Sequence, residues 1–488
     1  QTSYFGFGII FAITACGGGG GSGSDSGAQI NNYTFEVVNG ALPAPVLRDD
    51  IEPNATATTI AAVFDKSGNG YPDFFMVASY LRGTFDQIDT TPAKSFIMYL
   101  ENNSGSYVDR TEEVFGARNI NYSAREIRTA DVNNDNVQDI MLVTNNEDGR
   151  TTVNPDHITA PLLLFLSQAN GTYQQFEIGL NVWSHEGAFG DFDDDGVLEF
   201  VDAGFWIHSS HGIPPQDGSS PIYEVHPDGS WNIDPVIGNN PLFGSSETRF
   251  ELFDSDTCLD LITSAGDGMT YYTGNCDGTF TEIEHFATSN NAYLTIPGET
   301  YSGDATDWSV TEIDGQWVAG PAADWAEVFD IDNDGDPDVV YGIVGMPVSQ
   351  DDMLSGYIVQ TGAEIPFVRS YALLNSGGIL NRISSPLSNL AEGINLNWAH
   401  EFDLNNDGFL DLVLDEPSLG MEETIFLSHG DGTFEQPALS LEGGNIHTYL
   451  VPLDYNLDGL PDFISRTNYS LNDTGDFVLL RGLRTPAF

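Results

Sequence analysis

The stretch Asp330-Ile-Asp332-Asn-Asp334-Gly335-Asp336-Pro-Asp338 places carboxylates at positions 1, 3, 5 and 9 of a nine-residue run, with glycine at position 6. Side chains of this type at this spacing can wrap a short loop around one hard cation, every oxygen turned inward. Calcium suits such a set, because it takes roughly six to eight oxygen ligands and accepts carboxylates and carbonyls together. Position 7, here Asp336, would add its backbone carbonyl, so its side chain is free to vary. The glycine supplies the positive φ of a sharp bend.

Copies of the run begin at Asp65, Asp131, Asp191, Asp254, Asp330, Asp403 and Asp454, 51 to 76 residues apart. Besides the Asp330 copy, four carry a strong set. These are Asp131/Asn133/Asp135/Asp139 with Val137 at position 7, and Asp191/Asp193/Asp195/Glu199 with Val197. The other two are Asp403/Asn405/Asp407/Asp411 with Phe409, and Asp454/Asn456/Asp458/Asp462 with Leu460. The first copy, Asp65/Ser67/Asn69/Asp73, has two fewer charges than a four-carboxylate loop and is expected to bind weakly. The fourth, Asp254 to Asp260, reads as two residues short without glycine, and is expected to hold nothing. The count expected is therefore about five to six calcium ions.

Strands must carry these loops. An apolar run precedes each loop and another follows it, and a third strand ends in a glycine turn such as Asn-Gly-Thr-Tyr (170–173) or Gly-Asp-Gly-Thr-Phe (430–434) before a fourth. Four short strands cannot bury both their faces alone, whereas seven such sheets packed around an axis can. The fold class read here is all-β, a seven-bladed propeller occupying 33–488 as one domain. These loops resemble the FG-GAP/VCBS repeats of integrin α-subunit headpieces and many bacterial surface proteins, over about residues 57–482. The resemblance implies calcium loops between the first and second strands on the lower face. It does not fix a function, because the family includes adhesins, lectin-like binders and polysaccharide lyases.

The flanking segments carry their own expectations. Tyr4 to Ala15 is an apolar run ending in Ile13-Thr14-Ala15-Cys16, which reads as the end of a signal peptide and resembles a bacterial lipobox, with Cys16 lipidated. Residues 1–16 would be removed or modified there, and 17–32 would form a Gly/Ser-rich tether, its first eleven residues spanning about 18 Å. That places an exported bacterial protein on the outer membrane or cell surface, meeting the membrane only through its lipid. Tyr33 to Val38 has no blade of its own and is expected to complete blade seven, which otherwise ends one strand short.

The net charge is −58, from 73 Asp and Glu against 15 Lys and Arg. Six divalent ions would still leave about −46, an acidity that suits high salt, where self-repulsion is screened. With no basic patch to meet phosphates, nucleic acid is excluded as a partner. Cys258 and Cys276 lie symmetrically about Asp267, within a tight turn, so antiparallel pairing would set them opposite each other for a disulfide in place of the lost cation.

Five residues ahead of the loops, at the upper mouth of the axis, stand Glu126, Glu186, Arg249, Trp325, Trp398 and Tyr449, with His185, Arg128, Glu327, His400 and His447 close by, a ring that suits either a ligand or hydrogen bonding between blades. Indole faces beside carboxylates and histidines suit a sugar ring, so Glu126, Glu186, Trp325, Trp398 and His400 are the expected ligand-binding residues. His185 and His400 are the candidates if catalysis occurs, since imidazole titrates near neutrality. His208 and His211 are spaced like a weak metal pair. The function expected is a monomeric calcium-stabilised surface module binding a glycan or protein. The alternative is a polysaccharide lyase, disfavoured by the few cations available to neutralise a uronate.

Overall fold

The computed structural model of the chain describes residues 33–43, 56–81, 94–145, 160–206, 222–233, 248–264, 268–287, 291–295, 307–313, 316–348, 367–384, 386–387, 398–415, 424–437, 439–441, 448–466 and 477–483. Their strands form seven antiparallel blades, and Thr111–Phe115 is the one helical element among the described residues. Blade one sets the pattern: Thr56–Phe64 runs outward to its loop, followed by Asp73–Leu81, Lys94–Asn102 and Tyr107–Asp109, each paired to the strand before it. Middle strands lie between two neighbouring blades and read as continuous apolar runs. Every residue of Ala160–Ser167 is buried.

The two residues after position 9 build the ring. Because strand side chains alternate in direction, position 10 meets the preceding blade and position 11 the following one. Phe74 packs with Ile464 of blade seven, whereas Phe75 packs with Leu142 of blade two. The same division holds for Ile140/Met141, Phe200/Val201, Leu261/Ile262, Val339/Val340, Leu412/Val413 and Phe463/Ile464. Seven apolar clusters result, one per seam, and the seam between blades seven and one closes the circle.

Blade seven takes its outer strand from the other end of the chain. Tyr33–Val37 pairs antiparallel with Phe477–Leu483, Phe35 lying 5.3 Å from the Phe463 ring and Glu36 ion-paired with Arg481. Unforeseen from the sequence, it also pairs in parallel with Leu439–Leu441 on its far side.

Two further features depart from a plain repeat. Tyr173–Gly190 is the fourth strand of blade two and continues as the first strand of blade three. In blade five, the inner strand Gln316–Phe329 and its partner Asp338–Val348 overrun the blade and pick up Asp307–Ile313 and Asn291–Thr295, giving one six-stranded sheet. Since Phe329 abuts the loop, this extension stands at the opposite end of the inner strand.

Candidate metal loops and the axial cluster

Each loop is organised by its own carboxylates. In blade two, Asp131 accepts the N–H of Asp135 at 2.9 Å and of Asn136 at 2.8 Å, and Asp135 accepts that of Val137 at 2.8 Å. The same pair of bonds to position 1 recurs at Asp65, Asp191, Asp330, Asp403 and Asp454. Val197, Asp336, Phe409 and Leu460 likewise donate to the position 5 side chain. Positions 4 and 6 are both left-handed, which favours the Asn at position 4 of blades two, five and six and the glycine at position 6; Asp194 (φ 58) and Leu457 (φ 57) take position 4 in blades three and seven, and Asn136 (φ 64) stands where the other strong loops have glycine.

Position 9 is a buried clasp. Asp139 accepts the N–H of Val132 at 2.8 Å and of Ser167 at 2.6 Å, tying the loop to the third strand. Asp73, Asp338, Asp411 and Asp462 bridge loop and third strand in the same way, and Glu199 holds Phe192 N–H at 2.7 Å. Burial pushes these carboxyls up, to about 6 at Asp139, about 7 at Asp338 and about 8 at Glu199, Asp411 and Asp462.

The donor set fits a hard cation. Asp191, Asp193 and Glu199 bring one oxygen each to within 4.8 Å of one another, as do Asp330, Asp332 and Asp338. Asp332 Oδ1 is buried there with no hydrogen-bond partner, a costly arrangement that a bound cation relieves.

Position 5 bonds to the backbone as position 1 does. Asp195 in blade three and Asp334 in blade five lie beside the two converging groups of three, each with Oδ1 engaged by an N–H of its own loop. Asp195 is exposed, its Oδ1 accepts the N–H of Val197 at 2.8 Å, and its own N–H is held by Asp191 at 3.1 Å and Asp193 at 3.2 Å. Asp334 is exposed too, and accepts Asp336 N–H at 3.0 Å. Asp191 and Asp330 accept two backbone N–H groups each and still converge with their neighbours, so such bonds leave the position 5 carboxylates free to act as ligands through their other oxygen lone pairs. In blade one the loop has no such convergence: Ser67 donates to Asp65 at 3.2 Å, and Asn69 Nδ2 is spent on the carbonyl of Asn102 at 2.8 Å.

Blade four corrects the sequence reading. Its loop is not two residues short but runs full length from Leu252, because Phe253 N–H bonds to Asp260 at 3.0 Å as position 2 bonds to position 9 elsewhere. Asp254, Asp256 and Cys258 are therefore positions 3, 5 and 7, and they repeat the bonding of Asn133, Asp135 and Val137. The missing ligand is the first carboxylate, replaced by leucine. Cys258 and Cys276 are disulfide-bonded, with S–S 2.01 Å and Cα–Cα 4.8 Å. Such a link contributes about 3 kcal/mol by chain entropy. The turn at 265–267 between them lies outside the described residues.

The upper mouth also differs from expectation. Trp325 is only 1% exposed and packs in the core between blades five and six, so it is not available to a ligand. A register shift between Ala323 and Trp325 accompanies this, and glycine at 342 leaves the room, since a Cβ there would lie 2.1 Å from the indole Nε1. Glu126 and Glu186, expected to face a ligand, are buried in an axial ion network instead. Arg128 pairs with Glu126 and, at 3.2 Å, with Glu186; Arg249 lies 3.5 Å from Glu186 and 3.8 Å from Glu327. Glu126 also accepts Gly187 N–H at 2.9 Å. Burial holds Glu126 well above the usual carboxylate range and raises Glu327, despite the arginines.

His400 lies on the inner strand of blade six, and burial lowers it to about 4. Trp398 begins that strand, opposite Asp415. His185 lies on the inner strand of blade three. Residues 1–32, with Cys16, and 207–221, with His208 and His211, lie outside the described residues. Arg128, Arg249 and Glu327 stand among the mouth residues in the sequence as well; what the sequence does not show is that the axial glutamates are occupied by the two arginines. Their signal is a shared offset, three residues ahead of the loop once blade four is counted from Leu252.

Comparisons with known proteins bear on the repeat. Residues 403–465 match the model of an FG-GAP-like repeat. No curated protein matches the chain. Among solved structures, it is similar to an Agrocybe aegerita lectin that recognises non-reducing terminal N-acetylglucosamine, at 13% identity over 79% of this chain and 90% of that one, with TM-score 0.32. It is similar also to the haemagglutinin-neuraminidase ectodomain of parainfluenza virus 5, at 9% identity, 92% and 86% coverage and TM-score 0.34. A rhamnogalacturonan lyase follows at 13% identity, 92% and 90% coverage and TM-score 0.31. These likenesses bear on neither ligand nor chemistry. The segment 403–465 is thus an FG-GAP-like repeat, set in an all-β seven-bladed propeller whose other blades are built on the same kind of loop.

Proposed function

We propose that the chain is a calcium-stabilised binding module of a bacterial cell surface, taking a glycan or a protein on the face opposite its metal loops. The observation that carries this reading is the inequality of the two faces. One face is occupied by loops whose carboxylates are bonded to their own backbone, leaving little capacity for a second partner. The other carries the overrun of blade five, where an inner strand of 14 residues extends roughly 45 Å. Trp398 and His400 lie on the neighbouring inner strand, at its end away from the loop.

Binding is favoured over catalysis by His400 itself. With burial lowering it to about 4, the imidazole is neutral at pH 7 but a weak base for proton abstraction. Arg128 and Arg249 are committed to carboxylates, so among the described residues of the bore no free guanidinium remains for a uronate.

The test is a glycan array run beside an absorbance assay for unsaturated uronate products. Once a ligand is found, replacing Trp398 and His400 together by Ala should weaken binding at least about tenfold while melting in calcium is preserved. Unchanged binding in that variant moves the site away from blade six. The proposed anchor is tested separately: Cys16→Ser should shift the full-length protein from the detergent phase to the aqueous phase, and unchanged partitioning contradicts a lipid on Cys16.

A further inference from the structure

We infer that the loops of blades three and five form a tight pair of cation sites, loaded ahead of those in blades two, six and seven, and that the pair clamps the cation-free blade four between them. This rests on the calcium reading of the loops. Among the described residues, only these two loops bring three carboxylates within 4.8 Å of one another. Both have Asp at position 3, Asp193 and Asp332, where the other three have Asn133, Asn405 and Asn456.

That amide does more than remove a charge. In blades six and seven it donates to the position 5 carboxylate, Asn405 to Asp407 at 2.8 Å and Asn456 to Asp458 at 3.0 Å. In blade two, Ser167 Oγ donates to Asp135 at 2.8 Å while Asn133 donates to Ser167. A cation entering these loops must displace such bonds, whereas Asp332 Oδ1 has none to lose. The extra carboxylate also raises the charge facing the ion, the quantity that grades affinity in oxygen-ligand loops.

Blade four is tied to both tight loops. Phe192, at position 2 in blade three, donates its N–H to Glu199 at 2.7 Å and accepts Gly278 N–H from blade four at 3.2 Å. Gly278 is two residues from Cys276, which is joined to Cys258 in the loop of blade four. From that loop, Phe253 accepts Asn375 Nδ2 of blade five at 2.7 Å, and Asn375 N–H bonds to Asp338 at 2.7 Å. A continuous path of hydrogen bonds and one disulfide therefore joins position 9 of blade three to position 9 of blade five.

Native mass spectrometry of the metal-free full chain titrated with calcium chloride tests this. Two ions should bind first, with three more requiring at least about tenfold higher calcium. Asp332→Asn should reduce the first class to one ion, and Asn133→Asp should raise it to three. Hydrogen exchange across 252–260 and 274–280 should slow as the first two ions load, before exchange slows in blade seven. Five ions in a single class, or a first class unmoved by both variants, or blade four unprotected until full loading, overturns the inference while leaving the calcium reading intact. Failure to bind calcium at any concentration overturns both.

Discussion

Chelation at pH 8 and moderate salt should abolish cooperative melting or lower the melting temperature by well over 10 °C. Each occupied site adds about 3 kcal/mol when calcium is a hundredfold above its dissociation constant, so five sites rival the roughly 5–15 kcal/mol of a whole domain. The effect has a defined pH dependence. Without metal, Asp338 titrates at about 7 and Glu199, Asp411 and Asp462 at about 8, above their unfolded values because burial disfavours the charge. The folded metal-free chain then binds more protons than the unfolded one. Its stability from these groups is full below about pH 4 and is lost as pH rises through 6 to 8. The gap between calcium-loaded and chelated protein should therefore be wider at pH 8 than at pH 5.5. Identical melting curves with and without chelator at pH 8, or a gap that widens toward acid, would count against structural calcium.

Deleting residues 28–40 should be nearly as damaging. It removes Tyr33–Val37, baring the edge of the last strand from Leu479 to Leu483, and withdraws Phe35 from the seam between blades six and seven. Loss of a buried phenylalanine alone costs about 3–5 kcal/mol, and a bare strand edge templates association. The expected result is aggregation at temperatures where the full chain stays in solution, read by light scattering. A monomeric deletion variant with unchanged melting would mean that the ring closes without this strand.

The repeat, the blade number and the closing strand could be read from the chain because the loop has fixed spacing and because two apolar residues of opposite direction follow position 9 in every blade. Blade four was misread because Asp254 and Asp256, at positions 3 and 5, imitate positions 1 and 3 when the loop is counted forward. Counting back from Asp260, whose bonds to Phe253 and Gly274 define position 9, gives the right register. Within the strong loops, spacing marks Asp195 and Asp334 as ligands, and both also accept the N–H two residues on, a second use of the carboxylate that spacing does not reveal. The mouth was the least legible part. The direction of Trp325 depends on a register shift and on a glycine in the next strand, and the fate of Glu126 and Glu186 depends on arginines in this blade and the next. Only the Glu126–Arg128 pair is local, two residues apart on one strand; the Trp325–Gly342 and Glu186–Arg249 contacts join separate strands, so periodicity along one strand cannot show them.

The metal content of the protein, purified in buffer containing calcium and desalted, tests the central claim most directly. The loop geometry predicts about five calcium ions per chain by elemental analysis, held by blades two, three, five, six and seven. A chain that folds and melts cooperatively while retaining no divalent ion would contradict it.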